Sequence, residues 1–266
     1  MITGFLFGLY LITVTLHADP SLIEADHAIW NALLVEYVDD KSRVDYARLK
    51  EQASDRLEAY AQELALARQP DLETPQGKAF LINAYNALVI RWIVKNYPIK
   101  SIMATPNPFR KARHKVAGEK MSLDEIESRL RATGDPRIHS ALVCAARSCP
   151  PLRTEAYLPE HVDQQLEHNT RRWLANSDLN KIDAAHQHAE VSAIFDWYQD
   201  DFASYPGGLS GFLRHYSPPK TATATVDDKL LISIKDYDWG LNDQSNIGTG
   251  YSSLQLALDW LISWFH

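Results

Sequence analysis

The chain has 266 residues, 45% of them apolar and 23% charged, and its 27 basic against 34 acidic side chains leave a net charge of −7. These values exclude a largely disordered chain, a collagen-like repeat and a polytopic membrane protein. The acidic balance speaks against a general nucleic-acid binder, which needs a basic face, and two cysteines are too few for a disulfide framework.

Met1 to Leu16 read MITGFLFGLYLITVTL, apolar and without a charged side chain, and Asp19-Pro20 breaks the run. A bilayer span needs about 20 apolar residues. The shorter run fits the core of a signal peptide cleaved after Ala18. Against this stand an n-region without Lys or Arg and a large Leu16 near the cleavage point, so an uncleaved anchor or a buried first helix is the alternative. The expectation is a signal peptide over 1–18 and a single domain over 19–266. That domain is periplasmic or secreted, with no integral membrane span once the signal is removed.

Apolar residues at Ile23, Ile29, Trp30, Leu33, Leu34, Tyr37 and Val38 follow the helical period and predict a helix over 22–38. Asp39 to Ser42 reads as a turn, Val44 to Tyr46 as a short extended piece, and 49–67 as a second amphipathic helix. Thr74-Pro75 is a strong helix start. The helix it opens, over 75–97, is apolar nearly all round and is expected to be the buried centre of the fold. A basic, proline-bearing loop follows at 105–115. Ser122-Leu-Asp-Glu125 is a capping box opening a helix to Arg131, closed by Thr133-Gly134. Arg137 to Cys144 is apolar enough for a buried strand. Then come a helix over 159–174, a strand or short helix over 191–202, a short helix over 209–216, a strand over 230–234, and a closing helix over 252–265. There are no repeats and no domain linker. The fold class is α+β: one helix-rich domain with a small antiparallel sheet.

Six stretches carry a resemblance: Phe80-Leu-Ile-Asn-Ala-Tyr-Asn86, Ser122-Leu-Asp-Glu-Ile-Glu127, Asp135-Pro-Arg-Ile-His139, Val143-Cys-Ala-Ala-Arg-Ser-Cys-Pro-Pro-Leu152, Phe195-Asp-Trp-Tyr-Gln-Asp-Asp-Phe202 and Tyr237-Asp-Trp239. In order and spacing they resemble the DUF547 family over roughly 26–243. The resemblance implies a fold and a pocket more than a reaction. By fold-level analogy, a papain- or transglutaminase-like core with thiol-hydrolase chemistry is the most plausible activity. Where the family usually has His after the Ile-Glu pair, this chain has Ser128, so any role of that His does not carry over.

Cys144 and Cys149 are the only cysteines. A thiolate activated by a nearby cation is a strong nucleophile, and Arg147 and Arg153 bracket Cys149, which is expected on a loop, with Cys144 more buried. A disulfide between the two, or two inert buried thiols, are the other readings. His139 is a candidate base, or a hydrogen-bonded structural histidine; on a regular strand it faces away from Cys144. Glu125 is explained by the capping box. Glu127 is not, and its carboxylate needs a partner if buried, His139, Arg137 or Arg91. Asn83 and Asn86 share a face of the central helix; they serve a substrate or oxyanion, or they satisfy the backbone of the loop by Cys144. Asp196, Asp200 and Asp201 read as helix-end and salt-bridge groups. His186 and His188 fall far short of a zinc ligand set. No metal site and no cofactor motif is recognised.

Two functions follow. One is an exported thiol-dependent hydrolase or acyltransferase acting on an amide or thioester, with Cys149 or Cys144 as nucleophile, His139 as base, Glu127 orienting it, and Asn83, Asn86, Arg147 and Arg153 binding substrate. The other is a non-catalytic periplasmic accessory protein with a structural disulfide, binding a small molecule or peptide.

Overall fold

The structure is a computed structural model and describes residues 25–68, 71–111, 113–183, 186–218, 230–246 and 251. The expected signal segment and closing helix lie outside the described residues. Three helices open the fold, α1 (Ala28–Tyr37), α2 (Tyr46–Leu66) and α3 (Pro75–Asn96). Thr74 caps α3, its hydroxyl accepting from the Gly77 amide at 3.2 Å. Gly77 is required there, because a Cβ would stand 2.0 Å from the Asp71 carbonyl oxygen. All residues from Ala79 to Ile90 are buried, as an apolar helix without a polar face must be.

A hairpin of β1 (His114–Val116) and β2 (Glu119–Met121) packs on α2 and leads into α4 (Leu123–Arg131). The capping box is complete: Ser122 Oγ accepts from the Glu125 amide at 3.1 Å, and the Glu125 carboxylate accepts from the Ser122 amide at 2.6 Å. The expected strand at 137–144 is instead a single helical turn, α5 (Ile138–Ala141), followed by a loop. Its apolar run reads as a strand because a short buried segment carries no period that separates the two. Next come α6 (Val162–Ala175), β3 (Lys181–Asp183), β4 (His188–Ser192), α7 (Ile194–Trp197), α8 (Gln199–Ala203), α9 (Gly208–Tyr216) and β5 (Leu231–Lys235). The hairpin is antiparallel; in the three-stranded sheet β3 pairs antiparallel with β4, and β4 parallel with β5. The architecture is α+β with helices in the majority.

Two hydrophobic clusters form the interior. The larger is built on α1 to α6 and the smaller on Trp173, Phe195, Phe202 and Phe212. Tyr237 packs against both. After β5 the chain runs back across the first cluster. The Arg147 amide donates to Gly240 O, the Asn242 amide to Ala145 O, and the Leu241 amide to Lys100 O. This lacing brings Tyr237 and Trp239 beside the loop that holds both cysteines.

His114 is 2% exposed, and neither ring nitrogen has a hydrogen-bond partner among the described residues. Burial lowers its pKa to about 4, helped by Arg113. The unfolded chain therefore takes up a proton that the folded chain refuses, and stability falls as pH drops from the ordinary histidine value toward 4. Unfolding in urea at about pH 8 and about pH 5 should show a loss near 2 kcal/mol through this group. His114→Leu should remove that share of the loss and raise stability at both pH values. An unchanged pH dependence in the variant would contradict this reading.

Candidate functional site

A cavity of about 230 Å³ opens where the two clusters meet. Its aromatic wall is Phe109, Trp197, Tyr237 and Trp239. Ring centroids lie 6.4 Å apart for Phe109–Trp239, 4.8 Å for Tyr237–Trp239 and 4.7 Å for Trp197–Tyr237. Tyr85, Leu142, Ile194 and Tyr198 add to it, and its polar and ionisable groups include Asp124, Glu127, His139 and Cys144.

The turn of α5 carries His139 into this cavity. The ring is 4% exposed, its centroid 4.3 Å from that of Tyr198 and 5.3 Å from that of Phe202. His139 Nε2 stands 2.7 Å from Asp201 Oδ2. Asp201 also accepts from Arg131 Nε at 2.6 Å and Nη2 at 3.1 Å. Burial opposes ionisation of Asp201, but the hydrogen bonds from Arg131 and His139 outweigh it and hold the carboxyl below its usual range. Burial lowers the His139 pKa to about 4 against the pull of Asp201. The imidazole is therefore neutral at pH 7, donating from Nε2 to Asp201. Among the described residues nothing hydrogen-bonds Nδ1, which leaves a basic nitrogen on a cavity-lining ring.

Glu127 lines the same cavity one helical turn from Asp124. Burial raises its pKa, an effect that the nearby Tyr198 hydroxyl only partly counters. Asp124 is raised by burial too. None of the partners expected for Glu127 holds it. His139 goes to Asp201, Arg137 to Asp135 and Asp163, and Arg91 to Glu58. The strand expectation put His139 and Cys144 on opposite faces; the helical turn and loop put both on the cavity.

The two sulfurs form a Cys144–Cys149 disulfide, and among the described residues no cysteine is free. Cys149 is the more buried, 5% exposed, and the cavity is lined by Cys144, the reverse of the loop-side expectation. The Tyr237 hydroxyl lies 3.2 Å from Cys144 Sγ and 3.3 Å from Cys149 Sγ. A closed loop this short confers about 2 kcal/mol. Reducing the native protein, or replacing both cysteines by Ser, should lower the unfolding free energy measured in urea by that amount, and the midpoint with it, while the near-UV aromatic signal persists. An unaltered midpoint would mean that the bond adds no constraint.

The remaining predicted residues stand elsewhere. Asn83 donates to Tyr157 O at 2.8 Å and accepts from the Tyr157 amide at 2.9 Å. Asn86 donates to Ala141 O at 2.8 Å and accepts from the Val143 amide at 2.9 Å. Both side chains are thus spent on neighbouring backbone. Arg147 lines a second, larger cavity with Cys149, and its Nη2 donates to Asn246 Oδ1 at 3.0 Å. Arg153 pairs with Glu155 and His168. His186 pairs with Asp183 at 2.8 Å. Asp201, read from the sequence as a salt-bridge group, is one, to Arg131, and also holds His139. The site residues that the sequence reading missed include Asp124, Trp197, Tyr198, Tyr237 and Trp239, although all five sit in motifs it singled out. Their hidden signal was an acidic, aromatic run too short to be core alone.

The family model DUF547, described as a protein of unknown function, matches residues 70–174, from just before α3 into α6. That range is narrower than the resemblance read from the sequence, and it leaves the 195–202 and 237–239 walls of the cavity outside. No curated protein and no solved structure matches the chain. The chain carries a DUF547 region, of unknown function, at residues 70–174.

Proposed function

We propose that this is an exported accessory protein that binds a small ligand in the aromatic cavity, with Cys144–Cys149 as a structural disulfide. The observation that carries it is an open, aromatic-walled cavity with carboxyls and an unshared imidazole nitrogen, beside sulfurs that are joined to each other. Largely apolar concavities with a few convergent polar groups are the usual form of small-molecule sites. Export is supported by the uncharged apolar run from Met1 to Leu16 and by the disulfide, which persists in oxidising compartments. Among the described residues no helix is long and apolar enough to cross a membrane.

A fragment library screened by thermal shift tests the reading. Hits should stabilise the native protein and lose their effect in Trp197→Ala, a residue of the cavity wall that is 47% exposed, once urea unfolding has shown the variant folded. A library with no hits, or hits indifferent to that substitution, would overturn it.

A second reading is favoured by one observation: Cys144 lines the same cavity as His139. Once reduced, the Cys144 thiol would have a neutral imidazole nearby as base, and the protein would act as a thiol-dependent hydrolase or acyltransferase on an amide or thioester. It requires that activity appear only with reductant and vanish after iodoacetamide.

A further inference from the structure

We propose that the cavity takes a small organic cation, an alkylated ammonium, packed against the Trp197–Trp239 wall with its charge toward Glu127 and Asp124. This rests on the binding reading above and names the class of ligand.

Charge is what selects the class. Among the described residues, those lining the cavity include two carboxylic acids and no Lys or Arg. His139, the one other group able to carry positive charge there, is neutral at pH 7 because it is buried. Two guanidinium groups stand in the neighbourhood and have partners of their own. Arg131 is spent on Asp201 and lies over the Tyr198 ring, 4.8 Å from its centroid. Arg110 is 86% exposed and reaches Asp124 only at 3.9 Å. Asp124, its side chain 49% exposed and paired with Arg110, is compensated in part by water and by that pair, so half-buried Glu127 is the carboxyl whose charge on the cavity is least compensated, and burial raises its pKa. An anionic ligand would add repulsion there. A neutral one would leave the carboxylates as they are. A cation supplies the missing charge.

Shape selects the alkyl groups. Trp197 and Trp239 stack with centroids 5.8 Å apart and planes 17° apart, and Tyr237 tilts against both. Aromatic walls attract cations through their negative faces, and attract most strongly a weakly hydrated cation whose methyl groups also gain from leaving water. A cavity of about 230 Å³ accommodates such a head group.

The probes are choline and its uncharged isostere 3,3-dimethylbutan-1-ol, titrated calorimetrically into the full chain. Choline should bind at least about tenfold tighter. In Glu127→Gln that preference should shrink toward unity while the affinity for the alcohol holds. Trp197→Ala should weaken both. Equal affinities, a preference for the alcohol, or no binding of choline would each overturn the cation assignment. The binding reading would survive those results if the fragment library gave neutral or anionic hits sensitive to Trp197→Ala, and would fall if that library were silent too.

Discussion

Asn86→Leu should destabilise the protein by about 3 kcal/mol or more. Asn86 is 3% exposed, and its side chain completes a two-bond clamp on Ala141 and Val143. Leucine keeps the bulk and removes both partners. The Val143 amide and the Ala141 carbonyl then lie buried without hydrogen bonds, each at a cost of about 1–3 kcal/mol. The damage is local in origin, because these are the residues that carry the chain from His139 to Cys144. Urea unfolding should give the loss, and hydrogen exchange should show the Val143 amide deprotected before the core amides of α3. A native-like midpoint with Val143 still protected would contradict the clamp. The same reasoning applies one turn away, where Asn83 holds Tyr157.

Asp201→Ala should cost about 2–3 kcal/mol and release the His139 ring. Asp201 ties α8 to α4 through Arg131 and to α5 through His139. Arg131 is 34% exposed in its side chain and can turn to water, so its share is small. The His139 side chain is only 3% exposed, and Nε2 would be left unpaired, which carries most of the loss. Nitrogen-15 shifts of the ring separate a positioning role from simple packing. In the native protein they should report a proton on Nε2 and a bare Nδ1. In the variant they should report a mixture. The same pure tautomer in both proteins would show that Asp201 does not set it.

Much of the scaffold was legible because it is governed by local chemistry. Thr74-Pro75 and the Ser122–Glu125 box fix helix starts through hydrogen bonds made within three residues, and a helix apolar on every side has only the centre to occupy. Residues 137–144 were misread as a strand because a short apolar run has no distinguishing period. That error separated His139 from Cys144, which the helical turn places on one cavity. The two asparagines were rightly seen as needing specific partners, but whether those were substrate or backbone is a tertiary matter. Asp201 was the harder case. Its partners lie 62 and 70 residues away, and no sequence pattern marks a pairing at that distance. Tyr237 and Trp239 reach the site only because 238–242 laces back onto the cysteine loop, a contact set by the assembled fold.

The account rests on two sulfurs bonded to each other, and this is tested most directly by the mass of the purified, unreduced protein after iodoacetamide treatment in urea. The account predicts no alkylation and a mass short of the reduced chain by one pair of hydrogens. A carbamidomethyl group on Cys144 or Cys149 would contradict it and return the cavity to thiol chemistry.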